Sequence, residues 1–261
     1  MKKIISLVLS LALMLGVFAG CGSNASSDLE YIKEKGKLVV GITDFAPMDY
    51  KNENGEWIGF DAELAKMFAK SLGVTAEFVE IKWENKVSEL DGKTIDCVWN
   101  GMTLTSEVKS AMSTSNAYFN NAQVVILKKN IADKYKTAED CKLLKFAVEG
   151  GSAGEDQAVA NGFTYVEVDD QATALQEVKS GYSDAAIIDY LMATAMVGEG
   201  TSFSDLTYTA SLGSEEYGVG FRKNSDLTEK LNEFFKTAYA DGSMKACADK
   251  YKIGDKLIEQ K

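Results

Sequence analysis

Two strand ends carry the groups best placed to do chemistry. Ala185 to Ile188 is a short apolar run that ends at Asp189, and Phe146-Ala147-Val148 runs into Glu149-Gly150-Gly151-Ser152-Ala153-Gly154. Open α/β sheets hold ligands at such strand ends. The glycine-rich turn opens a helix and so offers backbone N–H groups to an anion. It lacks the Gly-Lys-Ser/Thr of a phosphate-binding loop, and a plain strand-to-helix connection is the other reading. Catalysis is narrowly bounded. With no His there is no Ser-His-Asp triad, Cys-His pair or His-ligated metal. Arg222 is the single Arg, although Arg is the usual bidentate clamp for carboxylate and phosphate. No cofactor and no metal are expected. Cys97, Cys141 and Cys247 match no metal spacing; buried free thiols are one reading, and a disulfide from Cys97 to Cys247 is the other.

The chain around these groups has 261 residues and a formal net charge of −11. That balance argues against nucleic acid, which needs a basic footprint. One Pro and 46% hydrophobic residues argue against disorder. Lys2 and Lys3 precede an apolar run from Ile4 to Ala19, which reads as a secretory signal over 1–20. Phe18-Ala19-Gly20-Cys21 resembles a bacterial lipobox with lipidation at Cys21; the alternative is an ordinary signal with an incidental Cys. Residues 21–28 then read as a flexible tether. This implies an extracytoplasmic protein held at the outer face of the cell membrane by lipid alone. Lys-rich, Arg-poor usage suggests a Gram-positive source. No later stretch reaches the ~18 apolar residues needed to span a bilayer.

Strands and helices alternate downstream. Strands are expected at Lys37 to Ile42, Thr75 to Ile81, Ile95 to Trp99, Phe146 to Val148, Ala185 to Ile188 and Tyr217 to Phe221. Helices are expected at Phe60 to Leu72, Glu84 to Leu90, Ser106 to Met112, Gln171 to Ser180, Leu227 to Asp241 and Ser243 to Lys250. Such alternation means a mainly parallel sheet with covered faces. Val87 to Gly101 and Leu175 to Asp189 share one layout: helix, small-residue turn, Asp, buried strand. Two similar lobes facing each other would put the strand ends across a cleft, with hinges near Gln123-Val124-Val125 and Glu216-Tyr217-Gly218.

From Lys37 onward the sequence resembles the extracytoplasmic solute-binding proteins of polar amino-acid ABC importers, family 3. The resemblance is carried by Lys37-Leu38-Val39-Val40-Gly41, Pro47-Met48-Asp49-Tyr50, Gly59-Phe60-Asp61-Ala62-Glu63-Leu64-Ala65, Gly92-Lys93-Thr94-Ile95-Asp96, Gly101-Met102-Thr103-Leu104-Thr105, Tyr118 through Gln123, and Tyr217-Gly218-Val219. It implies an α/β, two-lobed periplasmic-binding-protein-like (type II) fold with a hinge and an interlobe ligand cleft. Lobe 1 would be 29–123 with 219–261, and lobe 2 would be 124–218. It also implies a monomer that closes on a small solute and delivers it to a membrane permease with ATPase subunits.

The implied pocket departs from the family. Val108 stands where an Arg clamps the ligand's α-carboxylate, and Ala153, beside Ser152, stands where a Ser or Thr assists. Asp189 keeps the position of the Asp that binds the α-amino group. Lys109, next to Val108, is an alternative clamp, and Arg222 reads as structural. Asp44 and Phe45 in the first turn, Trp83 and Trp99, Asn100, Gly101 and Thr103, and Glu149 complete the expected pocket. Aromatic faces and unpaired carboxylates suit a cation. The ligand is therefore expected to be an amine or an amino-acid derivative that does not depend on an α-carboxylate; an amino acid held in a rearranged way is the alternative. Competing functions are a sensory lipoprotein without transport, and a dehydratase on the same scaffold with Glu149 as acid.

Overall fold

The computed structural model describes residues 27–261, so the signal segment and Cys21 lie outside the described residues. Helix α1 (Asp28–Lys35) starts directly: Ser27 caps it by accepting from Glu30 N, and Gly36 closes it at φ 71°. Ser27 and Asp28, expected in the tether, therefore belong to the folded body. Ser27 donates to Asp226, and Asp28 pairs with Arg222 at 2.9 Å. These contacts fix both residues to the folded body. Arg222 also pairs with Asp96 at 3.3 Å and donates to the Ile95 carbonyl, a structural role well away from the cleft.

β1 (Lys37–Ile42) is buried over five of its six residues, as a strand covered on both faces must be. After the small hairpin β2 (Tyr50–Lys51) and β3 (Trp57–Ile58), helix α2 (Phe60–Ser71) buries Phe60, Leu64, Ala65 and Phe68 at helical spacing. Then follow β4 (Thr75–Glu80), a 3₁₀ turn at Trp83–Asn85, α3 (Lys86–Asp91), β5 (Cys97–Thr103), α4 (Ser106–Ala111) and the short β6 (Ser113–Thr114). The long β7 (Phe119–Lys128) leads to β8 (Lys145–Glu149), α5 (Ala153–Asn161), β9 (Thr164–Val168), α6 (Gln171–Ser180), β10 (Ala185–Asp189) and α7 (Tyr190–Met196). The 16-residue β11 (Leu206–Phe221), α8 (Leu227–Ala240) and α9 (Ser243–Lys250) complete the order.

Apart from the β2–β3 hairpin, the strands form one curled, mixed sheet in the order β4-β1-β5-β11-β7-β10-β8-β9, with β6 beside β11. β1 pairs β4 and β5 in parallel, and β8 pairs β9 and β10 in parallel. Two antiparallel strands join these halves. β7 pairs β10 from Gln123 onward, and β11 pairs β5 from Tyr217 onward. β7 and β11 pair with each other along the whole of β7, from Phe119 opposite Tyr217, through Ala122 opposite Ser214, to Lys128 opposite Leu206. Cys97, Cys141 and Cys247 are free and buried, so no bridge joins Cys97 to Cys247. Among the described residues no helix is long and apolar enough to cross a membrane.

Candidate functional site

The carboxyl ends of β1, β5, β8 and β10 converge on a cavity of about 340 Å³. Of the twelve ligand-contact residues expected from sequence, ten line it: Phe45, Trp83, Asn100, Gly101, Thr103, Val108, Glu149, Ser152, Ala153 and Asp189. Two do not. Trp99 is fully buried behind the sheet against Phe68 and Phe235. Side chains alternate along β5, so when Asn100 faces the cleft Trp99 faces the helices. Asp44 is exposed and outside the lining, because the turn it occupies directs Thr43 and Phe45 inward instead. Lys109 is also exposed and outside the lining, so it does not replace the missing Arg.

The first turn is clipped to β5 by Asn100. Its Oδ1 accepts from Thr43 N and Thr43 Oγ1, while Nδ2 donates to the Thr43 carbonyl and to Asp49. The Asn100 amide is thus spent on positioning. Gly101 stands at φ 54°, where a Cβ would lie 2.5 Å from the Phe45 ring; only glycine lets the ring close over the strand. Asp61 explains the Gly-Phe-Asp stretch. From the start of α2 its carboxylate accepts from Gly101 N at 2.7 Å and from Tyr118 Oη at 2.8 Å, fixing the bend from which Met102 and Thr103 enter the cavity.

Opposite lie Glu149 and Asp189, 3% and 4% exposed. Their bonding differs. Asp189 accepts from Asn121 at 2.6 Å, from Gln171 at 2.5 Å and from Tyr217. Glu149 has a single contact to Gln171 Nε2 at 3.4 Å, and its Oε1 has no partner. Burial, then the neighbouring Asp189, pushes the Glu149 carboxyl up to about 8. Glu215 from β11 accepts from Asn121 and Gln123 and is likewise pushed up to about 8, by burial and by Asp189.

The glycine-rich turn, which offers N–H groups to an anion, is occupied by the chain itself. Gly151 N donates to Glu155 Oε2 at 2.7 Å, and Ser152 Oγ accepts from Glu155 N. This reciprocal cap places the chain's own carboxylate on the glycine-rich turn. At α4, Thr105 Oγ1 accepts from Val108 N and Glu107 occupies the first turn.

Sequence reasoning missed Lys86. It is 8% exposed, and its Nζ donates to the Gly151 carbonyl at 2.8 Å and the Trp83 carbonyl at 3.3 Å, 5.0 Å from the Trp83 ring centroid. Burial lowers its pKa, opposed first by Glu149. Its signal, a Lys among polar and charged residues in the first turn of a short helix, is that of an ordinary solvated position. The lining therefore holds six carboxyl groups, Glu84, Glu107, Glu149, Glu155, Asp156 and Asp189, and one ammonium. Among the described residues no group of His, Cys, Asp and Glu is placed to hold a metal.

Comparison with known proteins agrees with this architecture. The L-cystine-binding protein TcyJ of Escherichia coli (strain K12) is 32% identical over 227 residues, covering 85% of each chain. The arginine-binding extracellular protein ArtP of Bacillus subtilis (strain 168) is 29% identical over 263 residues, covering 98% of this chain and 100% of its own. The crystal structure of the ancestral amino acid-binding protein AncCDT-1, a precursor of cyclohexadienyl dehydratase, superposes with a TM-score of 0.79 at 32% identity, over 86% of this chain and 99% of that one. These relatives are named for binding, and the shared fold is the two-lobed type II form. The model of the bacterial extracellular solute-binding proteins, family 3, matches residues 38–254, and the chain belongs to that family.

Proposed function

We propose that this solute-binding protein captures a small cationic solute, an amine or an amino-acid derivative, and delivers it to an ABC permease and its ATPase subunits. The observation that carries the reading is the buried Glu149 carboxyl with an unpartnered oxygen in a cavity of six carboxyl groups and one Lys. A buried carboxylate needs a charged partner, and an ammonium on the ligand supplies it. A ligand α-carboxylate would meet Val108, Ala153, an α4 start capped by Thr105 with the acidic Glu107 in its first turn, and a glycine-rich turn already bonded to Glu155. That two relatives are named for cystine and arginine is consistent with an amino-acid-derived solute. A dehydratase substrate carries carboxylates, which this lining disfavours, so the reading is binding without catalysis.

Capture proceeds by closure of lobe 1 (29–123 with 219–261) on lobe 2 (124–218) about β7 and β11, the strands that pass between the halves of the sheet. The monomer is held outside the cell membrane of a Gram-positive bacterium through lipid on Cys21. The test is a thermal-shift screen of amines against L-amino acids. A ligand stabilises by RT ln(1 + [L]/Kd), so a micromolar binder at millimolar dose gives a shift of about 4 kcal/mol. Amines are expected to give the largest shifts; L-amino acids giving the largest shifts while amines give none would sink the reading. Radiolabelled palmitate incorporation that is lost in Cys21→Ser tests the anchor.

A further inference from the structure

Lys86 needs a reason to be where it is. A lysine is seldom so buried unless it is paired, yet among the described residues its ammonium forms no ion pair within 4 Å and bonds instead to two carbonyls. The Trp83 carbonyl belongs to the same turn as the lysine. The Gly151 carbonyl belongs to the glycine-rich turn across the cavity, 65 residues away. With the Trp83 indole beside it, the ammonium sits in a cage of two carbonyl oxygens and one aromatic face, a form of site that binds alkylammonium groups. The cage opens on the same cavity as Glu149.

We propose that this cage is a second cation subsite of the cleft, occupied by the protein's own Lys86, so that the wild-type protein selects ligands with one cationic group. The inference rests on the reading of the cleft as a cation site and deepens it. The charge count is direct. Two carboxyls are deeply buried in the wall, Glu149 and Asp189. Asp189 is saturated by Asn121, Gln171 and Tyr217. Glu149 alone keeps an unpartnered oxygen, which takes the ligand's ammonium. A second ligand ammonium would have to displace Lys86 or lie within its repulsion, since like charges a few ångströms apart repel more strongly in a cleft than in bulk water. Of the four remaining acidic groups, Glu155 is bonded to Gly151 N, and Glu84, Glu107 and Asp156 are exposed and solvated, and so discriminate weakly.

The experiment compares butylamine with putrescine, and pentylamine with cadaverine, by calorimetric titration of the full folded protein, wild type and Lys86→Met. Wild type is expected to bind each monoamine at least tenfold more tightly than the diamine of equal length. In Lys86→Met the vacated cage accepts the second ammonium, and the diamine-to-monoamine preference rises at least a hundredfold. Lys86→Arg, which keeps the charge, is expected to keep the monoamine preference. Wild type favouring diamines overturns the proposal without any variant. Amines that bind both proteins with an unchanged preference overturn it while leaving the cationic-ligand reading intact. No amine binding to either protein overturns both.

Discussion

Glu149 is the residue on which binding turns. Its free oxygen predicts that Glu149→Gln, which keeps size but removes the charge, weakens amine binding by about 2–5 kcal/mol, the usual loss when one partner of a buried charged pair is removed. The same change is expected to raise the stability of the unliganded protein at pH 8, where the carboxylate is otherwise buried without a partner. Paired calorimetry and melting curves check both. Asp189→Asn is expected to act differently. It disturbs a carboxylate that three donors already satisfy, so folding stability falls along with affinity. The strand-end residues were legible because a buried strand delivers its last side chains to one place. Trp99 was misread for a related reason: aromatic type suggested a ligand face, but β-strand alternation sends it behind the sheet against Phe235. Lys86 was illegible because its burial comes from a contact with Gly151, 65 residues on, which no local pattern announces.

At the scale of elements, β5 and the turn after β1 form one unit. Gly101→Ala would place a methyl 2.5 Å from the Phe45 ring and 3.1 Å from Tyr217, at a φ of 54° that side chains rarely adopt. The expected cost is about 1–3 kcal/mol from the overpacking, read from urea unfolding, together with loss of ligand binding as Phe45 leaves its place. Val108→Ala, on α4 but without such a constraint, should keep the cleft intact and change affinity less. Most helices and buried strands were evident from periodicity. β9 was not, because Thr164–Val168 is at best half-buried and lacks a continuous apolar run. Only Tyr217 to Phe221 was expected of β11, because the preceding Gly213-Ser214-Glu215-Glu216 has no apolar run. In the fold that stretch continues pairing, with Ser214, Glu215 and Glu216 opposite Ala122, Asn121 and Asn120 on β7. The repeated lobe layout put the crossings near both strands, but only the ladder shows that β7 keeps β11 along its length and takes β10 as a second neighbour from Gln123 onward.

At the scale of the molecule, the floor of the cleft and the crossing strands share one buried network. Asn121 joins Asp189 to Glu215, Gln123 donates to Glu215, and Tyr217 donates to Asp189. Asn121 and Gln123 come from β7, Glu215 and Tyr217 from β11. Any change of charge at Asp189 is therefore felt by the strands about which closure is proposed. Glu149 and Glu215 both hold their protons up to about 8, and the pKa of Asp189 is also raised, with burial the leading cause in each. The unfolded chain releases the two glutamic protons near pH 4.5, so their contribution to stability is full below that value and is lost as pH rises through about 8, and Asp189 acts in the same direction. Glu63, Asp140 and Asp241 have lowered values, and their contributions fall away only in more acid solution, outside this window. The unliganded protein is therefore expected to melt at progressively lower temperature from pH 5 to pH 8. Glu215→Gln should flatten that slope without creating a new site. A bound amine should restore stability most at the alkaline end, where Glu149 is ionised and its binding no longer requires loss of a proton. A melting temperature that rises across this window, or an amine-induced shift that shrinks from pH 6 to pH 8, would show that these carboxyls are held charged in the folded protein.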